Sequence, residues 1–125
     1  RVSHLYQPTN PAVVKLVDMA VGAARAANLP TCVCGESASD PVTGVLWAAL
    51  GVGSLSMSAT FLPVIRKVLR SLTAEDAAQI AADVRAALDV ARASEIYAIV
   101  RNRLVEKMPD LEEIQSFFAP VVSVE

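Results

Sequence analysis

The sequence predicts an α/β fold, on three observations. Stretches with helical apolar spacing alternate with two short runs that read as buried strands, Thr31–Cys34, which shows no polar alternation, and residues 54–57. Each run is followed by residues that turn the chain or start a helix. The resulting order, helix–strand–helix–strand–helix, is the signature of a parallel layer, and a run of further helices follows it.

Residues 1–10 read as a turn-rich lead-in, closed by Asn10 as N-cap and Pro11 at the first helical position. A helix runs from there to about Ala27, with Val13, Val17, Val21 and Ala24 on one face and Val14 beside them. Asn28 suits a left-handed cap, and Leu29-Pro30 stops the helix. Thr31–Cys34 is a short β-branched and cysteine-rich strand, expected to be buried on both faces. Ser39 or Asp40 caps the next helix, which carries Val42, Val45, Leu46, Ala49 and Leu50 until Gly51 ends it.

Residues 54–57 form the second buried strand. A third helix holds Phe61, Leu62, Ile65, Leu69 and Leu72, and tolerates Pro63 because it falls in the first turn. Thr73 to Asp76 is a start of the capping-box kind for a helix to about Leu88, with Ile80, Val84 and Leu88 on one face. Another helix covers residues 92–107 and a last short one residues 110–118.

At 125 residues the chain makes one domain at most. It is 54% hydrophobic and 19% charged, more apolar than the 45–50% typical of soluble domains. No apolar run reaches the roughly 18–20 residues of a membrane helix, so no membrane insertion is expected. The excess instead implies surface to be covered by a partner copy or by further sequence. A net charge of −2 without a basic cluster speaks against nucleic acid as a partner. The chain starts at Arg1 without methionine or a secretory signal, so its amino end is expected to derive from something longer. Cys32 and Cys34, two residues apart, sit near or beyond the disulfide limit of about 7 Å between Cα atoms. Both are read as reduced thiols, which suits the cytoplasm.

The candidate for chemistry is Cys34. It ends the first strand, and in parallel α/β layers reactive groups belong at the carboxyl ends of strands. Gly35 behind it permits a sharp turn, and the next helix start favours anions. A thiol placed there serves as nucleophile or proton donor, or simply packs. Cys32 shares its face one layer deeper and is expected in the core. Glu36 is either an acceptor near the thiol or solvent-facing, and Ser56 and Ser58 either point into the same cavity or bond to backbone. His4, the only histidine, reads as a loop residue, because with the two thiols it matches no usual zinc spacing. Arg66, Lys67 and Arg70 read as a solvated helix face, and Phe117 and Phe118 as a tail docking on the body or on a partner chain.

Taken in order, Arg1-Val-Ser-His-Leu-Tyr6, Asn10-Pro11-Ala12-Val13, Val33-Cys34-Gly35-Glu36 with Asp40-Pro41, Gly51-Val-Gly-Ser-Leu-Ser-Met-Ser58 and Pro63-Val-Ile-Arg66 resemble the C-terminal end of enzyme I. This is the phosphoenolpyruvate–protein phosphotransferase family of the bacterial phosphotransferase systems. The resemblance covers residues 1 to about 100. It implies a fragment of a (β/α)8 TIM barrel, the last two parallel strands with their helices, over residues 1–73, with residues 74–125 as a C-terminal helical extension packed on it.

The resemblance also implies an activity. Phosphoenolpyruvate gives its phosphoryl group to a histidine on another domain and thence to a phosphocarrier protein, and pyruvate is released. Cys34 matches the family's active-site cysteine, which protonates C3 of the enolate. The family's Mg2+ ligands, its substrate-clamping arginines and its phosphorylated histidine would lie before Arg1, so the chain alone is expected to be inactive and to form a homo-oligomer. Two other readings stand beside this one. In one the C-terminal helices make a non-enzymatic interaction module, and in the other Cys32 and Cys34 make a thiol-redox or metal protein.

Overall fold

The computed structural model describes residues 5–111 and 113. Eight elements follow in order: α1 (Pro11–Ala26), β1 (Cys32–Cys34), α2 (Glu36–Ser39), α3 (Pro41–Leu50), β2 (Ser54–Ser56), α4 (Leu62–Arg70), α5 (Ala74–Ala87) and α6 (Ala93–Lys107). The fold is a helix-rich α/β arrangement around a two-stranded parallel sheet, in the register Cys32↔Ser54, Val33↔Leu55 and Cys34↔Ser56. A parallel pair needs a crossover, and α2 and α3 supply it.

Local chemistry sets most boundaries. The Asn10 side chain accepts a hydrogen bond from the Ala12 N–H at 3.0 Å, and Pro11 opens α1 without wasting a donor. The helix ends where Asn28 turns left-handed at φ 54° and the Leu29 N–H reaches back to the Ala24 carbonyl at 2.8 Å. Asp40 rather than Ser39 caps α3, accepting from the Thr43 N–H at 2.8 Å, and Gly51 stops it at φ 97°. Thr73 and Asp76 close a reciprocal capping box on α5.

The core is built around α3, where Pro41 to Trp47 and Leu50 are all buried. A helix apolar all round must be enclosed all round, and α4, α5 and α6 pack on it. Val14 of α1, Val68 of α4, Ile80 and Val84 of α5, and Ile96, Val100 and Leu104 of α6 join it in one cluster. Val13 is a correction: it is 41% exposed, and Val14 and Val21 carry the inner face of α1. Leu16 and Met19 are exposed on the same helix, at 67% and 64%.

The expected strand burial is also corrected. Both strands alternate, exposed–intermediate–exposed. Only Val33 and Leu55 turn toward the helical core, because the helices cover one face of the sheet and no described residue encloses the other. The last expected helix lies mostly outside the described residues, although Leu111 and Glu113 are helical. No helix among the described residues is long and apolar enough to cross a membrane.

Candidate active site at the end of the first strand

Period-two alternation places Cys32, Cys34, Ser54 and Ser56 together on the open face of the sheet, all four exposed. They form two rows, Cys32 beside Ser54 and Cys34 beside Ser56. Cys32 is therefore not a core residue, since in this register it must share the face of Cys34. Both thiols are free.

The lower row is tied to backbone. The Ser54 hydroxyl donates to the Thr31 carbonyl at 3.3 Å, and the Cys32 thiol faces the Val33 carbonyl at 3.7 Å. Thr31 also takes the Ser54 N–H on its carbonyl at 3.0 Å and the Gly53 N–H on its hydroxyl at 2.9 Å, which sets the entry of β2 against β1. In the upper row, neither the Cys34 thiol nor the Ser56 hydroxyl has a hydrogen-bond partner among the described residues.

Gly35 follows the thiol at φ 91° and ψ −166°, a conformation open in practice only to glycine. It turns the chain into α2, a single turn too short for helical periodicity to show in the sequence. Behind it the Thr43 hydroxyl donates to the Ser37 carbonyl at 2.5 Å, tying the turn to the buried helix α3. Burial pushes the Asp40 carboxyl up, against the hydrogen bonds from Thr43 and the Val42 N–H that favour its charged form.

Glu36 is exposed and makes no hydrogen bond to Cys34. With Tyr6, Ser37, Asp40, Thr43 and Tyr97 it lines a cavity of about 500 Å3 beside the turn. Sequence reading missed this cavity, since it joins residues from three distant stretches. Burial raises the Tyr6 hydroxyl, with its hydrogen bond to Ser37 acting the other way.

The other singled-out residues lie elsewhere. Ser58 is exposed two residues past the strand end. Arg66, Lys67 and Arg70 are exposed on α4, and Lys67 pairs with Asp110 at 2.6 Å. His4, Phe117 and Phe118 fall outside the described residues. Among the described residues no three His, Cys, Asp or Glu side chains gather as a metal site.

The fold is thus a helix-rich α/β arrangement in which a parallel strand pair carries a thiol at its carboxyl end. The chain belongs to the family described as PEP-utilising enzyme, PEP-binding domain, which matches residues 1–74. It is 38% identical over 102 residues to the phosphoenolpyruvate-protein phosphotransferase of Geobacillus stearothermophilus, covering 82% of this chain and 17% of that protein. The protein of the same name from Streptomyces coelicolor is 42% identical over 86 residues, covering 69% of this chain and 16% of its own length. That of Haemophilus influenzae is 35% identical over 105 residues, covering 84% and 18%. The chain thus spans about a sixth of the length of the relatives it matches.

Proposed function

We propose that this chain is the part of a phosphoenolpyruvate–protein phosphotransferase that carries the proton donor, Cys34. In this reading β1 and β2 are the last two adjacent staves of a (β/α)8 barrel, with α1, α3 and α4 as its outer layer. Residues 1–73 belong to the barrel and residues 74–125 are a helical extension on it. Phosphoenolpyruvate transfers its phosphoryl group to an enzyme histidine and on to a phosphocarrier protein. Mg2+ and the substrate clamps come from residues outside this chain, which on its own releases no pyruvate. The protein works in the cytoplasm as a homo-oligomer.

The observation that carries the reading is the place of Cys34: at the carboxyl end of a parallel strand, on the face turned away from the helices. Barrel enzymes place reacting groups there. When the phosphoryl group has left, the enolate carbon needs a proton. The Cys34 S–H bond breaks, its electron pair stays on sulfur, and the proton forms the new C–H bond at C3. A donor held within hydrogen-bond reach makes that step efficient.

The test is Cys34→Ala in the complete polypeptide. Pyruvate release is expected to fall by at least about a hundredfold, with phosphoenolpyruvate binding retained. Release at the unaltered rate would overturn the assignment. The exposed Val13, Leu16 and Met19 on α1 support the homo-oligomer, and a monomer by light scattering at micromolar concentration would remove that part.

A further inference from the structure

We propose that Ser56 is a positioning residue for Cys34, its hydroxyl donating a hydrogen bond to the sulfur as the thiol gives up its proton. The inference rests on the proton-donor reading of Cys34 and adds a second residue to the same site.

Three observations carry it. Cys34 and Ser56 are partners in the strand register and share the open face. Neighbouring strands lie about 4.8 Å apart, a spacing at which a hydroxyl and a sulfur on register partners can reach hydrogen-bond distance. The row beneath has the same two residue types, yet there the Ser54 hydroxyl is engaged by the Thr31 carbonyl and the Cys32 thiol faces the Val33 carbonyl. Only in the upper row are both groups free among the described residues. Ser58, the other hydroxyl of the motif, lies beyond the strand end and has no register partner.

The chemistry asks for such a donor. Proton loss leaves a full negative charge on sulfur, and a hydrogen bond to a charged group is roughly twice as strong as one between neutral groups. A donor placed where charge develops lowers the barrier to the transfer. Ser56 takes no proton from the thiol and gives none to the substrate. Its O–H bond stays intact throughout.

The test has two arms. In this chain with Cys32→Ala, so that a single thiol reacts, alkylation of Cys34 by iodoacetamide is followed by mass spectrometry at neutral pH. Ser56→Ala is expected to slow it about tenfold, and Ser56→Thr to restore most of the rate. Circular dichroism checks that each variant folds. An unchanged rate in Ser56→Ala, or a fall that Ser56→Thr does not repair, overturns the proposal.

In the complete polypeptide, Ser56→Ala is expected to lower kcat for pyruvate release about tenfold with KM unchanged, and a change in KM alone overturns the role in turnover. Should Cys34→Ala leave pyruvate release intact while Ser56→Ala still slows alkylation, the proton-donor reading fails and the hydroxyl–sulfur pairing stands. Should Cys34→Ala abolish release while Ser56→Ala changes neither rate, the pairing fails and the proton donor stands.

Discussion

Arg85 of α5 grips Asp18 of α1 through two parallel hydrogen bonds, Nε to Oδ2 at 3.0 Å and Nη2 to Oδ1 at 2.7 Å. The fork ties the C-terminal helices to the first helix of the chain. Its hydrogen bonds hold the Asp18 carboxyl below the usual carboxylate range and raise the Arg85 guanidinium. Both partners are partly exposed, at 47% and 25%, so solvent screening limits the pair. Arg85→Ala is expected to cost about 0.5–1 kcal/mol in urea unfolding, and less at high salt. Because the carboxyl titrates lower when folded, this stability is present above the unfolded carboxylate range and is lost as pH falls through the folded value. Asp18→Asn should lose the corresponding acid sensitivity.

The box at the start of α5 gives a second pH-dependent contact. The Thr73 N–H donates to Asp76 Oδ2 at 2.9 Å, the Asp76 N–H to the Thr73 hydroxyl at 3.1 Å, and Lys107 of α6 pairs with Asp76 at 3.0 Å. Chiefly through the Thr73 N–H, and then through Lys107, the Asp76 carboxyl is held down to about 2. Thr73→Ala is expected to cost about 1 kcal/mol. Thermal melts at falling pH should show the contribution of Asp76 fading between the ordinary carboxylate range and about 2, and Asp76→Asn should flatten that stretch of the profile.

Leu46 of α3 and Leu104 of α6 are both 0% exposed and lie in one cluster. Truncating either to alanine is expected to cost about 2–5 kcal/mol. Trp47, the only tryptophan and 2% exposed, reports on the same cluster. Its emission and the far-ultraviolet circular dichroism of Leu104→Ala should change together in one transition. Two separated transitions would show that α6 unfolds independently of α3.

Gly35 and Gly22 should respond to alanine with opposite signs. Neither has an atom within 4 Å of an added Cβ, so backbone conformation alone decides. Gly35 sits at φ 91°, where alanine is expected to cost about 1–3 kcal/mol. Gly22 lies inside α1, where alanine is expected to add about 0.5–1 kcal/mol. Denaturant midpoints of the two variants check the contrast, and equal shifts would contradict it.

The elements that sequence made legible are those with local causes. Asn10-Pro11, Asp40 before Pro41, Gly51, and Thr73 with Asp76 each set a boundary through a contact within three residues, and each appears where its chemistry puts it. The left-handed Asn28 was legible for the same reason. Burial of the strands was misread: Thr31–Cys34 shows no polar alternation to tell one covered face from two, whereas the alternation of Ser54-Leu55-Ser56-Met57 does mark a half-covered strand. That misreading placed Cys32 in the core. The partnership of Cys34 with Ser56 needs a register between strands separated by two helices, and no local signal carries it. Tyr6 and Tyr97 came to one cavity by the same kind of long-range packing.

Because α3 is enclosed by α4, α5 and α6, which all come after both strands, these helices guard the seat of a sulfur atom that they do not hydrogen-bond. A premature stop beyond β2 would strip the cover from the crossover, bare Trp47 and Leu50 to water, and let the two strands drift out of step. Damage to the site would then look like a catalytic lesion while every residue of the thiol's own row was still encoded.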